Sequence, residues 1–340
     1  MEGKLPAGCV TGVGSLPFTD PKDAIDFVAH HCPVLPFWPQ LPKRQSGEGV
    51  IAQGLGILSA FLEPAARPFC WQIQPGKGRV FAEGLDEQDA YLIPETAAGF
   101  FAFEAALRKG EFPRAVALKA QSEGPATLAH WVFHEGRSLA NEPGWMRRVA
   151  AFVARQAIWQ VKRLQRYGRP VIFVLDEPAI SLALADAPPE LIEEIIHAVA
   201  TVLIAVRKAG ATAGIHCCAQ LPTMLLQRLP FQLLSFDAHL PMEGPAWGEL
   251  VRSVLHRSGS LAFGLVPTNP EPVPGAGELF ALWLRLAATA GDVLEMAHKT
   301  IVTATCGLGL STPSAAASVF EQCNRVGEKI ERLSQSAQES

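Results

Sequence analysis

Eight short apolar or β-branched runs, at residues 9–14, 34–38, 115–119, 171–175, 213–217, 233–236, 261–266 and 300–305, alternate with longer segments of helical period. This alternation limits the fold more than any other feature. A strand returning to a parallel sheet needs a crossover of about a dozen residues or more, and a helix supplies it. After the third run, Met146, Val149, Val153, Ala157, Val161 and Leu164 recur at spacings of three and four, and Gly168 follows where a left-handed cap would sit. Leu191, Ile195, Ala198, Val202 and Ala205 line the next helical face, closed by Gly210 before the strand ATAGIHC.

Eight such units predict an α/β chain folded as a single (β/α)8 TIM barrel, a form that spans about 200 to more than 400 residues. A doubly wound open sheet is the runner-up. One domain is expected over residues 1–334, followed by a frayed polar tail at 335–340. Residues 41–113 are too long for one crossover and read as an insertion after the second strand that caps the barrel mouth. Within it FCWQIQPGKGRVFA has the turn chemistry of a hairpin at Pro75-Gly76 and Gly78.

With 49% hydrophobic and 18% charged residues in 340, the chain can bury a large core. The net charge of -4 offers no basic surplus for a phosphate backbone or an anionic membrane, so neither nucleic acid nor membrane is an expected partner. The start MEGKLPAGCV does not read as a secretory signal, and no apolar run reaches the ~18 residues of a membrane span. A cytoplasmic location is expected. The seven cysteines are odd in number and scattered, which argues against a disulfide framework and leaves metal binding, chemistry or burial to explain them.

Several of those side chains fall just past predicted strands: His216 and Cys218 in GIHCCAQ, Asp237 in LLSFDAH and Cys306 in TATCGLG. Strand residues two apart share a face, so His216 and Cys218 can both enter the mouth while Cys217 turns to the helix layer. Two readings stand. Imidazole, thiolate and carboxylate make a soft tetrahedral zinc site, and barrels gather functional groups at strand ends. Alternatively these are separate buried groups, since free cysteine packs as a small hydrophobe.

Other words resemble one family. TGVGSLPFTDP, LKAQSEGPATLA, VLDEPAI and CGLGLST, in this order and spacing, resemble the catalytic C-terminal barrel of cobalamin-independent methionine synthase. The HCC word also resembles the zinc motif of corrinoid-linked thiol methyltransferases, and both groups share a barrel superfamily with uroporphyrinogen decarboxylase. The likeness covers most of the chain outside the insertion.

The resemblance implies a zinc-dependent methyltransferase acting on a small-molecule thiol such as homocysteine, with His216, Cys218 and Cys306 as zinc ligands. Asp237 stands where the family has a ligating glutamate. One methylene shorter, it either ligates directly, contacts zinc through water, or anchors a neighbouring group. The aspartate of the DEP word, here Asp176, binds the substrate amino group in such enzymes. On its own chemistry Asp176-Glu177 also fits a helix start before Pro178. Gly14 and Ser15 lie in a loop that contacts the amino acid in the family. Pro17 occupies the third glycine position of GxGxxG and argues against a dinucleotide site. Gln121, at the end of the third strand, and Trp38 with Gln40, after the second, are further pocket candidates. Thr127 reads as a helix cap or a loop former, and Glu123 departs from the small hydroxyl residue usual in the family. His130, His134, His239 and His298 lack partners in sequence, with His239 singled out only by its spacing from Asp237.

The methyl donor is expected to be a methylcorrinoid protein or methyltetrahydrofolate. No second, folate-assisting barrel is read in these residues, which gives weight to the corrinoid partner. Two rivals are a decarboxylase-like tetrapyrrole enzyme, which would want more arginines at the mouth, and a non-catalytic zinc or thiol binding protein.

Overall fold

The computed structural model describes residues 5–336, apart from 68, 88, 186, 221, 243–244 and 269–271. The strands in chain order are β1 (Cys9–Val10), β2 (Leu62–Pro64), β3 (Trp71–Ile73), β4 (Leu118–Glu123), β5 (Val132–His134), β6 (Arg137–Ser138), β7 (Val171–Asp176), β8 (Thr212–Cys217), β9 (Leu233–Asp237), β10 (Ser260–Val266) and β11 (Thr300–Ala304). Around them lie α1 (Pro21–His31), α2 (Val50–Gly54), α3 (Gly78–Glu87), α4 (Ala98–Arg108), α5 (Pro125–Trp131), α6 (Trp145–Gln165) and α7 (Ile180–Leu184). The second half adds α8 (Pro189–Lys208), α9 (Thr223–Leu226), α10 (Pro245–His256), α11 (Ala276–Ala290), α12 (Val293–Lys299) and α13 (Pro313–Ser336).

Seven strands form one parallel sheet in the order β1-β11-β10-β9-β8-β7-β4. The order never reverses, so there is no switch point of a doubly wound sheet, and the sheet curls as in a TIM-like barrel. The expected eighth strand at 34–38 is not a strand. Pro33, Pro36 and Pro39 supply no N–H, so a regular ladder cannot form there. The extended segment instead bridges the sheet's edges: the Val116 and Lys119 amides donate to the Val34 and Pro36 carbonyls, and the Gln40 amide donates to Gly14. The strand content is thus seven in the sheet plus this proline-rich span, in place of a closed eight-strand ring.

Inside the curl, an apolar cluster takes Cys9, Leu35, Ala117, Ile172, Val174, Leu233, Ala262 and Ile301 from the strands and the bridging segment. A second, larger core lies between sheet and helices. The α6 face read from sequence is buried there, as are Ile195, Ala198 and Val202 of the α8 face with Leu191 and Ala205 half-buried, and Gly168 and Gly210 follow these helices at φ 67° and 84°. Cys217 belongs to this outer core, as alternation required.

Residues 41–113 contain α2, α3, α4 and the β2-β3 pair. The hairpin expected across Pro75-Gly76 does not form. β3 pairs antiparallel with the preceding β2, and the turn leads into α3, whose Phe81 and Leu85 are buried at helical spacing. α4 packs on α1, held to α6 by a two-pronged Arg163–Glu104 pair. α2 reaches β4 at the strand's C-terminal end. Of the tail expected at 335–340, residues 335 and 336 belong to α13, and residues 337–340 lie outside the described residues.

Candidate active site

β7, β8 and β9 run in register, so Asp176 and His216, near the C-terminal ends of their strands, and Ser235 in the middle of β9 occupy neighbouring positions. In-register residues of parallel strands share a face, and Asp176, His216 and Ser235 all line a narrow internal cavity inside the curled sheet. Cys218 lies just past β8, and Cys306 just past β11. Among the described residues, His216, Cys218 and Cys306 form a group whose ligand atoms all lie within 4.8 Å of one another.

The chemistry of this group fits a soft metal ion. His216 Nδ1 lies 2.9 Å from Ser235 Oγ, whereas its buried Nε2 has no hydrogen-bond partner. An Nδ1–H tautomer donating to Ser235 leaves the Nε2 lone pair free, the usual arrangement of a metal-binding imidazole. The Cys218 and Cys306 sulfurs are 3.3 Å apart and share a hydrogen bond. That bond, aided by the electrostatic influence of neighbouring His216, overcomes burial and brings the Cys306 thiol down to about 4, while the Cys218 thiol is pushed up by the same bond and by burial. One imidazole nitrogen and two sulfurs of this kind are zinc ligands by preference.

Asp237 is outside that group. Its Oδ1 accepts the His239 amide at 2.8 Å, closing a local turn, and partial burial raises its carboxyl pKa. His239 in turn places Nε2 2.8 Å from the Leu265 carbonyl. Trp38, expected at the pocket, is instead turned to the helix layer. Its ring meets Phe100 edge-on and its indole N–H donates to Gln160 of α6. Neighbouring Phe37 packs elsewhere, stacked on Phe320 of α13 with the Lys119 ammonium over its ring.

The loop at Gly14 and Ser15 reaches the site's edge by docking on the loop after β11. The Ser15 carbonyl accepts the Leu308 amide at 2.8 Å, and Ser15 Oγ accepts the Gly309 amide at 3.4 Å. A Cβ on Gly14 would meet Gln40 Oε1 at 2.4 Å, so this chain's own glutamine makes the close approach that glycine permits. Gln40 is buried and donates to Gln53, which donates to the Thr96 carbonyl.

Lys119 was missed from sequence. It is buried on the inward face of β4 and donates to the Val13 carbonyl at 2.6 Å and to Gln121 Oε1 at 2.9 Å. Gln121 Nε2 donates to the Trp38 carbonyl at 2.8 Å, so Gln121 is engaged on both sides. Burial pulls the Lys119 ammonium down to about 8, opposed by the negative charge of Asp176. Asp176 is pushed up to about 6 by burial, opposed by Lys119 and His216. The signal was present in LKAQSE: Lys119, Gln121 and Glu123 alternate with small residues, which marks a polar inward face.

Glu123, the last residue of β4, is raised well above the usual carboxyl range by burial and by Asp176. Glu177 has a separate duty. Its carboxylate accepts the Ala126 and Thr127 amides at 3.0 and 2.8 Å and the Thr127 hydroxyl at 2.7 Å, holding the N-terminus of α5. Gly124 makes room for it, since a Cβ there would lie 2.2 Å from Glu177 Oε1.

Fold and site together define an α/β chain with a curled parallel sheet and a soft three-ligand group at its C-terminal mouth. A B12-independent methionine synthase from Shewanella sp. W3-18-1, solved with selenomethionine, shares 13% identity over 68% of each chain at a TM-score of 0.50. It is a likeness of fold. A GH138 enzyme targeting pectin rhamnogalacturonan II matches 76% of this chain and 37% of its own at 8% identity, and its TM-score of 0.31 carries no argument. No family model matches the chain, and no curated protein matches it. Among the described residues, no helix is long and apolar enough to cross a membrane.

Proposed function

We propose that the chain is a zinc-dependent methyltransferase that transfers a methyl group to the sulfur of a small aminothiol such as homocysteine. The observation that carries this reading is the convergence of His216, Cys218 and Cys306, from strand ends far apart in sequence, around an unpartnered imidazole nitrogen. Zinc held by these three residues supplies Lewis acidity that turns a thiol, with an ordinary pKa near 8.5, into a nucleophile at neutral pH.

The protein's own groups do the positioning. Ser235 fixes the orientation of the His216 ring. Asp176, on the adjacent strand, faces the substrate ammonium. The 13–15 loop orients the substrate's other end, and Lys119 ties that loop to β4 through the Val13 carbonyl. Held at both ends, the thiol meets the donor methyl along a defined line, which converts a bimolecular encounter into an oriented one. The 41–113 segment acts as a cap, consistent with α2 lying against the end of β4. Asp237 serves as an outer anchor of the centre through its turn with His239.

The donor is a methylated corrinoid or methyltetrahydrofolate. Incubating zinc-loaded protein with homocysteine and either methylcobalamin or methyltetrahydrofolate, then measuring methionine, tests the reading. Methionine from one donor supports the reaction and identifies that donor. Absence of product with both, in protein with full zinc content, rejects it.

A further inference from the structure

Glu123 and Asp176 are register partners on β4 and β7, and Asp176 is in turn the partner of His216 on β8. The two carboxylates therefore stand side by side, one strand spacing of about 4.8 Å apart at the backbone. Glu123 is 5% exposed and Asp176 4%. Each keeps one buried oxygen, Glu123 Oε2 and Asp176 Oδ1, without a hydrogen-bond partner. Buried carboxylate oxygens are normally satisfied, and nearby Glu177 shows the normal case with three donors. Lys119 acts on Asp176 through its charge, while its hydrogen bonds go to Val13 and Gln121 and leave both oxygens without a donor.

We infer that Glu123 and Asp176 form a paired carboxylate seat for the substrate ammonium, with Glu123 as a specificity-determining residue. This rests on the thiol methyltransferase reading and deepens it. An ammonium offers three N–H donors, two of which satisfy the two free oxygens. A hard metal cation fits less well, since it takes about six or more oxygen ligands and two are free here. The spacing suits a short aminothiol: His216, which borders the sulfur site, lies one strand from Asp176 and two from Glu123, a span of about 5–10 Å. Glu123 occupies a position where the resembling family has a small hydroxyl residue, so the seat is a property of this chain's own residues.

The test uses the cobalt(II)-loaded protein titrated with homocysteine and with its des-amino analogue 4-mercaptobutanoate, reading dissociation constants from the thiolate-to-cobalt absorption. Wild type is expected to prefer homocysteine. Glu123→Gln and Glu123→Thr are each expected to weaken homocysteine binding about tenfold or more while leaving 4-mercaptobutanoate and cobalt content unchanged. The inference is overturned if either folded variant keeps the wild-type preference between the two thiols, or if wild type binds both equally. A wild-type spectrum that responds to neither thiol overturns the thiol reading itself, and the seat with it.

Discussion

Cys218 and Cys306 are 88 positions apart in the chain, yet their sulfurs lie 3.3 Å from each other. The contact joins the loop after β8 to the loop after β11 across the mouth of the sheet. Two uncharged thiols need no such approach, and two thiolates would repel. A shared proton or a shared cation reconciles the distance.

Removal of either sulfur should therefore abolish metal retention. Cys218→Ala and Cys306→Ala are expected to weaken zinc binding by more than about 100-fold, and Cys217→Ser to leave it intact because that thiol packs under the helices. Zinc content after dialysis against a graded chelator measures this. Equal zinc loss in all three variants would refute the assignment.

Asp237 provides a contrast. Since its Oδ1 is engaged by the His239 amide, Asp237→Ala should reduce zinc affinity by about 10–100-fold at most, the range for outer-shell partners. Loss as complete as in Cys306→Ala would make it a direct ligand.

Lys119 and Asp176 should be energetically coupled. The two buried charges offset each other without a hydrogen bond between them, so Lys119→Met is expected to destabilise the fold by about 1–3 kcal/mol. The double variant Lys119→Met, Asp176→Asn should recover much of that loss. Urea unfolding of wild type, both single variants and the double variant gives the coupling energy, and strict additivity would disprove it.

Glu177 sets a pH dependence. Burial raises it from 4.5 to about 7 against the pull of the α5 amides. Between these values the folded state binds the proton more tightly than the unfolded state, so stability from this group is present at low pH and falls as pH rises through 7. The stability advantage of wild type over Glu177→Gln should narrow by about 1–3 kcal/mol between pH 5 and 8. An advantage that widens would mean that the Ala126 and Thr127 donors keep the carboxylate ionised.

Much of the fold was legible because strands such as VIFVL are continuously apolar and the α6 and α8 faces are periodic. The zinc-type residues were legible because each lies at or just past the end of a strand. Two kinds of feature were hidden. Proline spacing in PVLPFWPQLP identified an extended run but not that it would lack a ladder, and this also misplaced Trp38, whose facing depends on what Phe37 packs against. Glu177 was undecided because its partners, Ala126 and Thr127, are 51 and 50 residues away. No local pattern reports such a pairing. Lys119 was legible in principle, but an isolated lysine in a strand is read by default as a solvated side chain.

The proline-rich span has a mechanical consequence. β4 and β7 are laced through six register positions, whereas the opposite flank of β4 reaches the β1 side through scattered bonds to 34–40 and the Lys119–Val13 contact. The molecule therefore has a clasp, and transient breathing should begin there. In deuterium exchange the amides of Trp38 and Gln40 should label before those of β7 and β8. Because the Gln40 amide is held by Gly14, each such opening would momentarily slacken the loop that borders the sulfur centre.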